Sequence, residues 1–285
     1  MNSVKLALQR LLSFAGDERP LAFARFIRKL PALWREERCS LQHAKEPWEP
    51  NRLYIDGGDK FYPVFLPDDF SENHGSVLRT YNVFRNFANS WIARDEVSNF
   101  MRFARAARRF ADVGSAEGFY SALFASMHGV DAEILSIDCG SWAGCNPYHS
   151  KVVREINYNA FRPCRWDTLQ AFVTDNRRRP PEFSLPANTH ISTLVDLLTD
   201  ANFRPDLLKL DIESGEYEVI FDSLDFLRDA RPTLIIEVHN PMLRERGLSF
   251  KPVLAELRRI GYSVAACDRN DYLTEHCHLI LQCPI

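Results

Sequence analysis

The sequence predicts an α/β protein built on a doubly wound, mostly parallel sheet of seven strands, with one antiparallel strand at its end. Three observations carry this. A strand, a glycine turn and a helix start run through Phe110-Ala-Asp-Val-Gly-Ser-Ala-Glu-Gly-Phe-Tyr120. Short apolar strands then alternate with helical patterns to the end of the chain, which implies crossover connections and helices on both faces. The last two strands are joined only by the polar Asp268-Arg-Asn-Asp271, too little chain for a crossover, so they pair antiparallel.

In order, strands are expected near 109–113, 133–138, 168–173, 206–211, 233–239, 262–267 and 276–282. Helices are expected near 117–128, 148–160, 192–200, 214–228 and 249–260. In the first of these, Phe119, Leu123 and Met127 share a side, as packing on a sheet requires. Ahead of the sheet, residues 77–109 read as helical through Val83, Phe84, Phe87, Trp91, Phe100 and Phe103. Tyr54–Phe65 reads as a hairpin turning at Asp56-Gly-Gly-Asp59. Residues 1–36 read as two helices, and 37–52 as a polar linker. The division is therefore an N-terminal extension, 1–88, and a main domain, 89–285.

The glycine turn marks a nucleotide site. Gly114 and Gly118 stand where a side chain would block a ligand or a tight turn. Twenty residues past Gly118, the strand Glu133-Ile-Leu-Ser-Ile-Asp138 ends in an acid. A dinucleotide turn offers bare amides to a pyrophosphate. Here Asp112 and Glu117 flank those amides and would repel one. A cationic ligand with a ribose fits better: S-adenosyl-L-methionine brings an ammonium, a sulfonium and a diol for Asp138. Glu117 serves either that ligand or only the positive end of the helix.

Composition excludes several classes. The net charge is −3, and the arginine clusters at 102–109 and 177–179 read as solvated surface, so no nucleic-acid partner is expected. Seven scattered cysteines without a Cys-x-x-Cys pair suggest reduced thiols and a cytoplasmic setting. No stretch is long and apolar enough to span a bilayer, and the charged N-terminus does not read as a signal peptide. The first helices suit packing on the main domain or homo-oligomer contacts. His276-Cys277-His278 hints at a metal, but in a strand the histidines share one face and the cysteine takes the other. No metal is assigned.

Beyond the glycine turn, Asp206-Leu-Leu-Lys-Leu-Asp-Ile-Glu-Ser-Gly-Glu-Tyr-Glu-Val-Ile220 resembles the Lys-x-Asp-x-Glu-Gly-x-Glu signature of the FkbM family of S-adenosylmethionine-dependent methyltransferases. Ile191–Leu198 is similar to that family's threonine-leucine-aspartate helix start. Pro232–His239 resembles its next strand, and Glu155-Ile-Asn-Tyr-Asn159 the end of its second helix. The resemblance spans roughly 90–285 in order and spacing, and implies a class I methyltransferase fold. The chain departs from the family at Asp138-Cys139, where Glu-Pro is usual, in the insert 140–147, at Ser214-Gly215 for Gly-Ala, and at Ser115-Ala116-Glu117.

The resemblance and the strand-end rule assign roles. The cofactor is expected on Asp112, Gly114, Ser115, Glu117, Gly118 and Asp138, with Thr174 or Asp175 at the adenine. Asp211 and Glu213 are expected on one face by alternation, with Lys209 neutralising one of them. Glu216 and Glu218 read as first-turn and surface acids. His239 is the expected general base, with an imidazole pKa suited to neutral pH and Glu237 to orient it; Asp211 is the second choice. The implied activity is O-methylation of a hydroxyl on a small molecule, sugar, glycan or polyketide-type acceptor. A nicotinamide or sugar-nucleotide enzyme would want a bare Gly-x-Gly-x-x-Gly turn, which is absent. A non-catalytic adaptor on the same fold remains a further reading.

Overall fold

The structure is a computed structural model that describes residues 52–56, 61–65, 91–116, 118–140, 147–175, 185, 189–269 and 271–283. The helices expected in 1–36, the linker, the hairpin turn at 57–59 and Glu117 lie outside the described residues. The chain divides into two compact units, Met1–Val97 and Ser98–Ile285. The first holds strands β1 (Arg52–Asp56) and β2 (Phe61–Phe65), paired antiparallel with Asp56 opposite Phe61, as a hairpin requires.

Helix α1 (Trp91–Ala104) leads into the second unit. There β3 (Arg109–Val113), β4 (Glu133–Asp138), β5 (Arg165–Val173), β6 (His190–Ser192), β7 (Leu207–Leu210), β8 (Thr233–Val238), β9 (Ser263–Cys267) and β10 (Cys277–Gln282) form one sheet. Its order is β6-β5-β4-β3-β7-β8-β10-β9. The sheet has eight strands, not the seven expected. The additional strand, β6, is only three residues long and pairs parallel with the end of β5. Its brevity leaves no periodicity to read. The antiparallel strand is the last in the chain, but it lies inside the sheet, between β8 and β9.

The helices are α2 (Phe119–His128), α3 (Pro147–Phe161), α4 (Leu194–Asp200), α5 (Glu216–Asp222), α6 (Leu224–Ala230), α7 (Asn240–Glu245) and α8 (Lys251–Arg259). The single helix expected over 214–228 is two, broken at Ser223, whose φ and ψ of −100° and 5° fall outside the helical basin. Helix α7 was not expected; Pro241 at its first turn is a start signal too short to show a period. Helix α4 is capped as its sequence predicts: the Thr193 hydroxyl accepts from Asp196 N at 3.1 Å and donates to its carboxylate at 2.8 Å.

The central strands are buried on both sides, as a sheet covered by helices requires. Strand β7, Leu-Leu-Lys-Leu, is buried at every position, its lysine included. The Cα of Asp112 stands opposite that of Lys209 in the β3–β7 ladder. Chain direction puts the ends of β3, β4, β5, β7 and β8 on one rim, where strand order reverses between β3 and β7.

Two turns on this rim are conformationally demanding. Gly114 has φ +76°, and a Cβ built on it would sit 1.6 Å from the Asp211 carbonyl oxygen. The two chains meet backbone to backbone there, so only glycine fits. Gly118, φ +84°, has open space around it: a Cβ would meet nothing nearer than Val153 at 3.9 Å. Its requirement is the left-handed backbone alone. Gly114→Ala is therefore expected to cost about 3 kcal/mol or more, and Gly247→Ala, left-handed but with nothing within 4 Å, about 1–2 kcal/mol. Urea unfolding of the two variants checks this; equal losses would show that the Gly114 contact relaxes freely.

Candidate active site

One side of the rim is made of backbone amides and acids. Asp138, at the end of β4, accepts from Ala116 N (2.9 Å) through one oxygen and from Gly140 N (2.6 Å) through the other. Burial raises its pKa and these amides oppose the rise. The carboxylate thus clamps the glycine turn and keeps lone pairs for a diol. Asp112 is buried. One of its oxygens accepts from the Ser121 hydroxyl at 2.7 Å, and Ser121 bonds to Ser136 at 2.8 Å. Trp166 Nε1 donates to Ser136 at 3.0 Å, completing a chain from β5 to β3 that the sequence did not reveal. The second oxygen of Asp112 finds no hydrogen-bond partner among the described residues. Burial raises this carboxyl, and Lys209 opposes the rise. Thr174 and Asp175 follow β5 on the same rim; Thr174 N donates to Ser192 O at 3.1 Å. Gly114 belongs to the rim through its contact with Asp211, and Ser115 N donates to Ile137 O at 3.1 Å.

The other side is a dense ionic cluster. Lys209 Nζ lies 2.7 Å from Asp211 Oδ2 and 5.2 Å from the Tyr120 ring centre. Burial works against its charge, but Asp211, Asp112 and Glu237 outweigh burial and hold its pKa above the usual lysine value. Glu237 accepts from His276 Nε2 at 2.5 Å, and His278 Nε2 stands 3.4 Å away. Burial disfavours the Glu237 charge, yet His276, His278 and Asp211 more than offset it and hold this carboxyl well below the usual range. Asp211 goes the other way: burial first, then the neighbouring Glu237, push it up to about 8 against Lys209.

His239 sits just past β8, 5% exposed, in a ring of acids. Its Nε2 is 3.2 Å from Glu213 and 3.8 Å from Glu237, and its Nδ1 is 3.4 Å from Glu216. Burial lowers its pKa, but Glu216, Glu237 and Glu213 overcome this and push it up to about 9. The expectation of an imidazole that accepts a proton at neutral pH is corrected: three carboxylates keep the proton on the ring.

Two further expectations change. Glu213 does not reach the cluster by strand alternation. The strand stops at Leu210, and Glu213 and Ser214 adopt φ +55° and +70°, a left-handed turn that swings the carboxylate to His239. Arg246 holds this turn by donating to Ser214 O at 2.7 Å and pairing with Glu218. Glu216 and Glu218 are not surface acids: Glu216 is buried and accepts from Ile212 N at 2.7 Å, and Glu218 takes the Arg246 guanidinium. Helical periodicity alone cannot tell an acid pointing at solvent from one pointing at a neighbouring strand end.

His276 and His278 share a face, as alternation predicts, and both meet Glu237. A cavity of about 550 Å³ lies at the opposite, amino rim, lined by Arg109, Asp206 and Thr233, away from this cluster.

An eight-stranded sheet with an inserted antiparallel strand is the layout expected of the class I methyltransferase fold. Residues 167–264 match the family model described as Methyltransferase FkbM domain. No curated protein matches. Among solved structures, the chain is similar to a methyltransferase FkbM from Methylobacillus flagellatus KT, with 15% identity, 90% of this chain and 60% of that one covered, and a TM-score of 0.45. It is also similar to an Aeropyrum pernix fibrillarin with natively bound S-adenosyl-L-methionine, at 11% identity, 68% and 79% coverage and a TM-score of 0.41. A Bacillus cereus O-methyltransferase in complex with SAH aligns at 10% identity, 67% and 81% coverage and a TM-score of 0.38. No helix among the described residues is long and apolar enough to cross a membrane.

The His239 proton has a sign that can be checked. Its folded pKa of about 9 exceeds the ordinary 6.5, so its contribution to stability is complete below 6.5 and is lost as pH rises through 9. The groups facing it are Glu213, Glu216, Glu237 and the His276 ring, 4.7 Å away. NMR titration of metal-free protein is expected to show the His239 ring protonated at pH 7.5, with a lower midpoint in Glu216→Gln. An imidazole already neutral at pH 7.5 would contradict the assignment.

Proposed function

We propose that the chain transfers the methyl group of S-adenosyl-L-methionine to a hydroxyl of a small, sugar, glycan-linked or polyketide-type acceptor. The observation that carries this is the pairing, across one switch point, of an amide-clamped Asp138 with the carboxylate–histidine cluster at the ends of β7 and β8. The family match supports methyl transfer, and the cluster supports oxygen as the acceptor atom.

In this reading the turn 114–116, with Asp138, holds the ribose and methionine portions. Asp112 adds negative charge beside the ammonium and sulfonium. Thr174 and Asp175 meet the adenine. The acceptor oxygen attacks the methyl carbon in line, the carbon–sulfur bond breaks, and its electron pair stays on sulfur as S-adenosylhomocysteine leaves. The hydroxyl proton goes to a carboxylate. Glu213 suits this role: it is partly exposed, burial raises its pKa, and protonated His239 steadies it at 3.2 Å. His239 orients and balances charge, and Asp211 with Glu237 holds it in place.

Calorimetric titration with S-adenosylhomocysteine, with NADH in parallel, tests the reading. Micromolar binding of the first and none of the second is expected. Asp138→Ala should weaken binding about 10-fold or more, the loss of a charged hydrogen-bond acceptor, with an unchanged circular-dichroism spectrum. Unchanged affinity in that variant would remove Asp138 from the site, and binding of NADH alone would overturn the methyltransferase assignment.

A further inference from the structure

We propose that the cluster at the ends of β8 and β10 is a divalent transition-metal site, with Glu237 Oε1, His239 Nε2 and His276 Nε2 as protein ligands and its remaining positions open towards the acceptor. The three donor atoms come within 4.8 Å of one another. Glu237 Oε1 stands 2.5 Å from His276 Nε2 and 3.8 Å from His239 Nε2. These separations bracket the ~3.4 Å between donors bound about 2.1 Å from a tetrahedral ion. Two imidazoles and one carboxylate, with open positions, form a donor set that selects zinc-like or iron-like cations over magnesium or calcium.

Three features beyond the donors support the site. Two of the ligands have an oppositely charged group behind them. Glu216 faces His239 Nδ1 at 3.4 Å, leaving Nε2 for the cation. The second oxygen of Glu237 lies 3.4 Å from His278 Nε2, and His278 Nδ1 meets the buried Asp268 carboxylate at 2.8 Å. Carboxylate–histidine pairs of this kind orient metal ligands.

The segment that carries His276 is also fixed. The buried Asn240 amide donates to Tyr272 O at 3.1 Å and to Glu275 O at 2.6 Å, and Arg244 donates to Thr274 O at 2.5 Å. His276 thus stands on an anchored loop, with half its side chain exposed on the open side of the site.

Charge points the same way. Asp112, Asp211, Glu213, Glu216, Glu237 and Asp268 crowd around Lys209 and three imidazoles, with Arg246 committed to Glu218. A dication offsets the surplus of carboxylates at the point where they converge. The assignment reverses the sequence expectation, which considered His276 and His278 as a pair. The ligating partner of His276 is His239, from another strand end, and no spacing within residues 276–278 displays that.

A bound cation would displace the proton that the acids hold on His239 in the metal-free protein, take the acceptor hydroxyl oxygen and make it more acidic, with Glu213 beside it to receive the proton. This role rests on the methyl-transfer reading; binding of the cation does not.

The test is equilibrium dialysis and optical titration of the full chain with Co²⁺, and competition with Zn²⁺. One Co²⁺ per chain with visible bands of an imidazole-bound ion is expected. Affinity should fall about 100-fold in His276→Ala and about 10-fold in Asp268→Asn, and stay unchanged in His190→Ala, an exposed histidine on β6. Independently of any variant, Zn²⁺ should shift the Nε2 resonances of His239 and His276 and leave His190 alone. Absence of stoichiometric uptake, uptake undiminished in His276→Ala, or Zn²⁺ shifts that miss His239 and His276 would each overturn the site. S-adenosylhomocysteine titration of the same samples separates the two readings: cofactor binding without metal uptake removes the metal alone, and metal uptake without cofactor binding removes methyl transfer alone.

Discussion

A lysine buried within a parallel sheet demands carboxylates beside it, and the carboxyl rim of this protein is arranged around that demand. Lys209 is buried from solvent, so Asp112 comes from the adjacent strand and Asp211 from just past its own. Two acids for one cation leave negative charge over. Glu237 adds to it, and His276 and His278 meet that carboxylate from the other side. Removal of the amine alone would leave buried carboxylates facing one another, the costly half of a broken pair. The side chains that face the proposed cofactor and those that face the proposed acceptor are thereby electrostatically coupled through a single nitrogen.

Geometry enforces the same coupling. The Gly114 turn lies directly against the Asp211 carbonyl, so β3 and β7 cannot separate at the switch point without opening both turns. On the far side of that contact the chain stores strain: Glu213 and Ser214 hold left-handed backbone that L-residues disfavour by roughly 1–2 kcal/mol each. Arg246 restrains the turn through Ser214 O and Glu218. Strain kept at a place that aims a carboxylate at an imidazole is strain associated with a site, not with a connection.

Much of this was legible in the sequence, for a definite reason. The glycine turn, the strand pattern and the acids at strand ends are local signals, and β3 and β4 begin and end where the sequence predicts. The family signature placed Asp211, Glu213, Glu237 and His239 near one another. What was not legible is long-range. Ser121, Ser136 and Trp166 are unremarkable residues until the fold lines them up behind Asp112. Glu216 looks like any first-turn acid until β8 brings His239 to it. Strand β6 is too short for a pattern, and the His239 pKa is set by three carboxylates from three different segments. The division of residues into surface and site depends on which strand ends become neighbours, and a period along one element does not carry that information.

The two halves of the rim also differ in what they are built from. At β3 and β4 the proposed cofactor surface is built on main chain, with Asp138 clamping amides of Ala116 and Gly140. Main-chain donors have fixed direction and no titration, which suits one unchanging ligand. At β7, β8 and β10 the surface is side chain, rich in carboxylates and imidazoles. A surface of that kind suits the proposed chemistry, in which an oxygen must lose a proton as it gains a methyl group. The antiparallel insertion of β10 between β8 and β9 is what makes this possible. It brings His278, and His276 from the loop that precedes the strand, to the rim beside Glu237. A parallel strand in that place would have presented its other end.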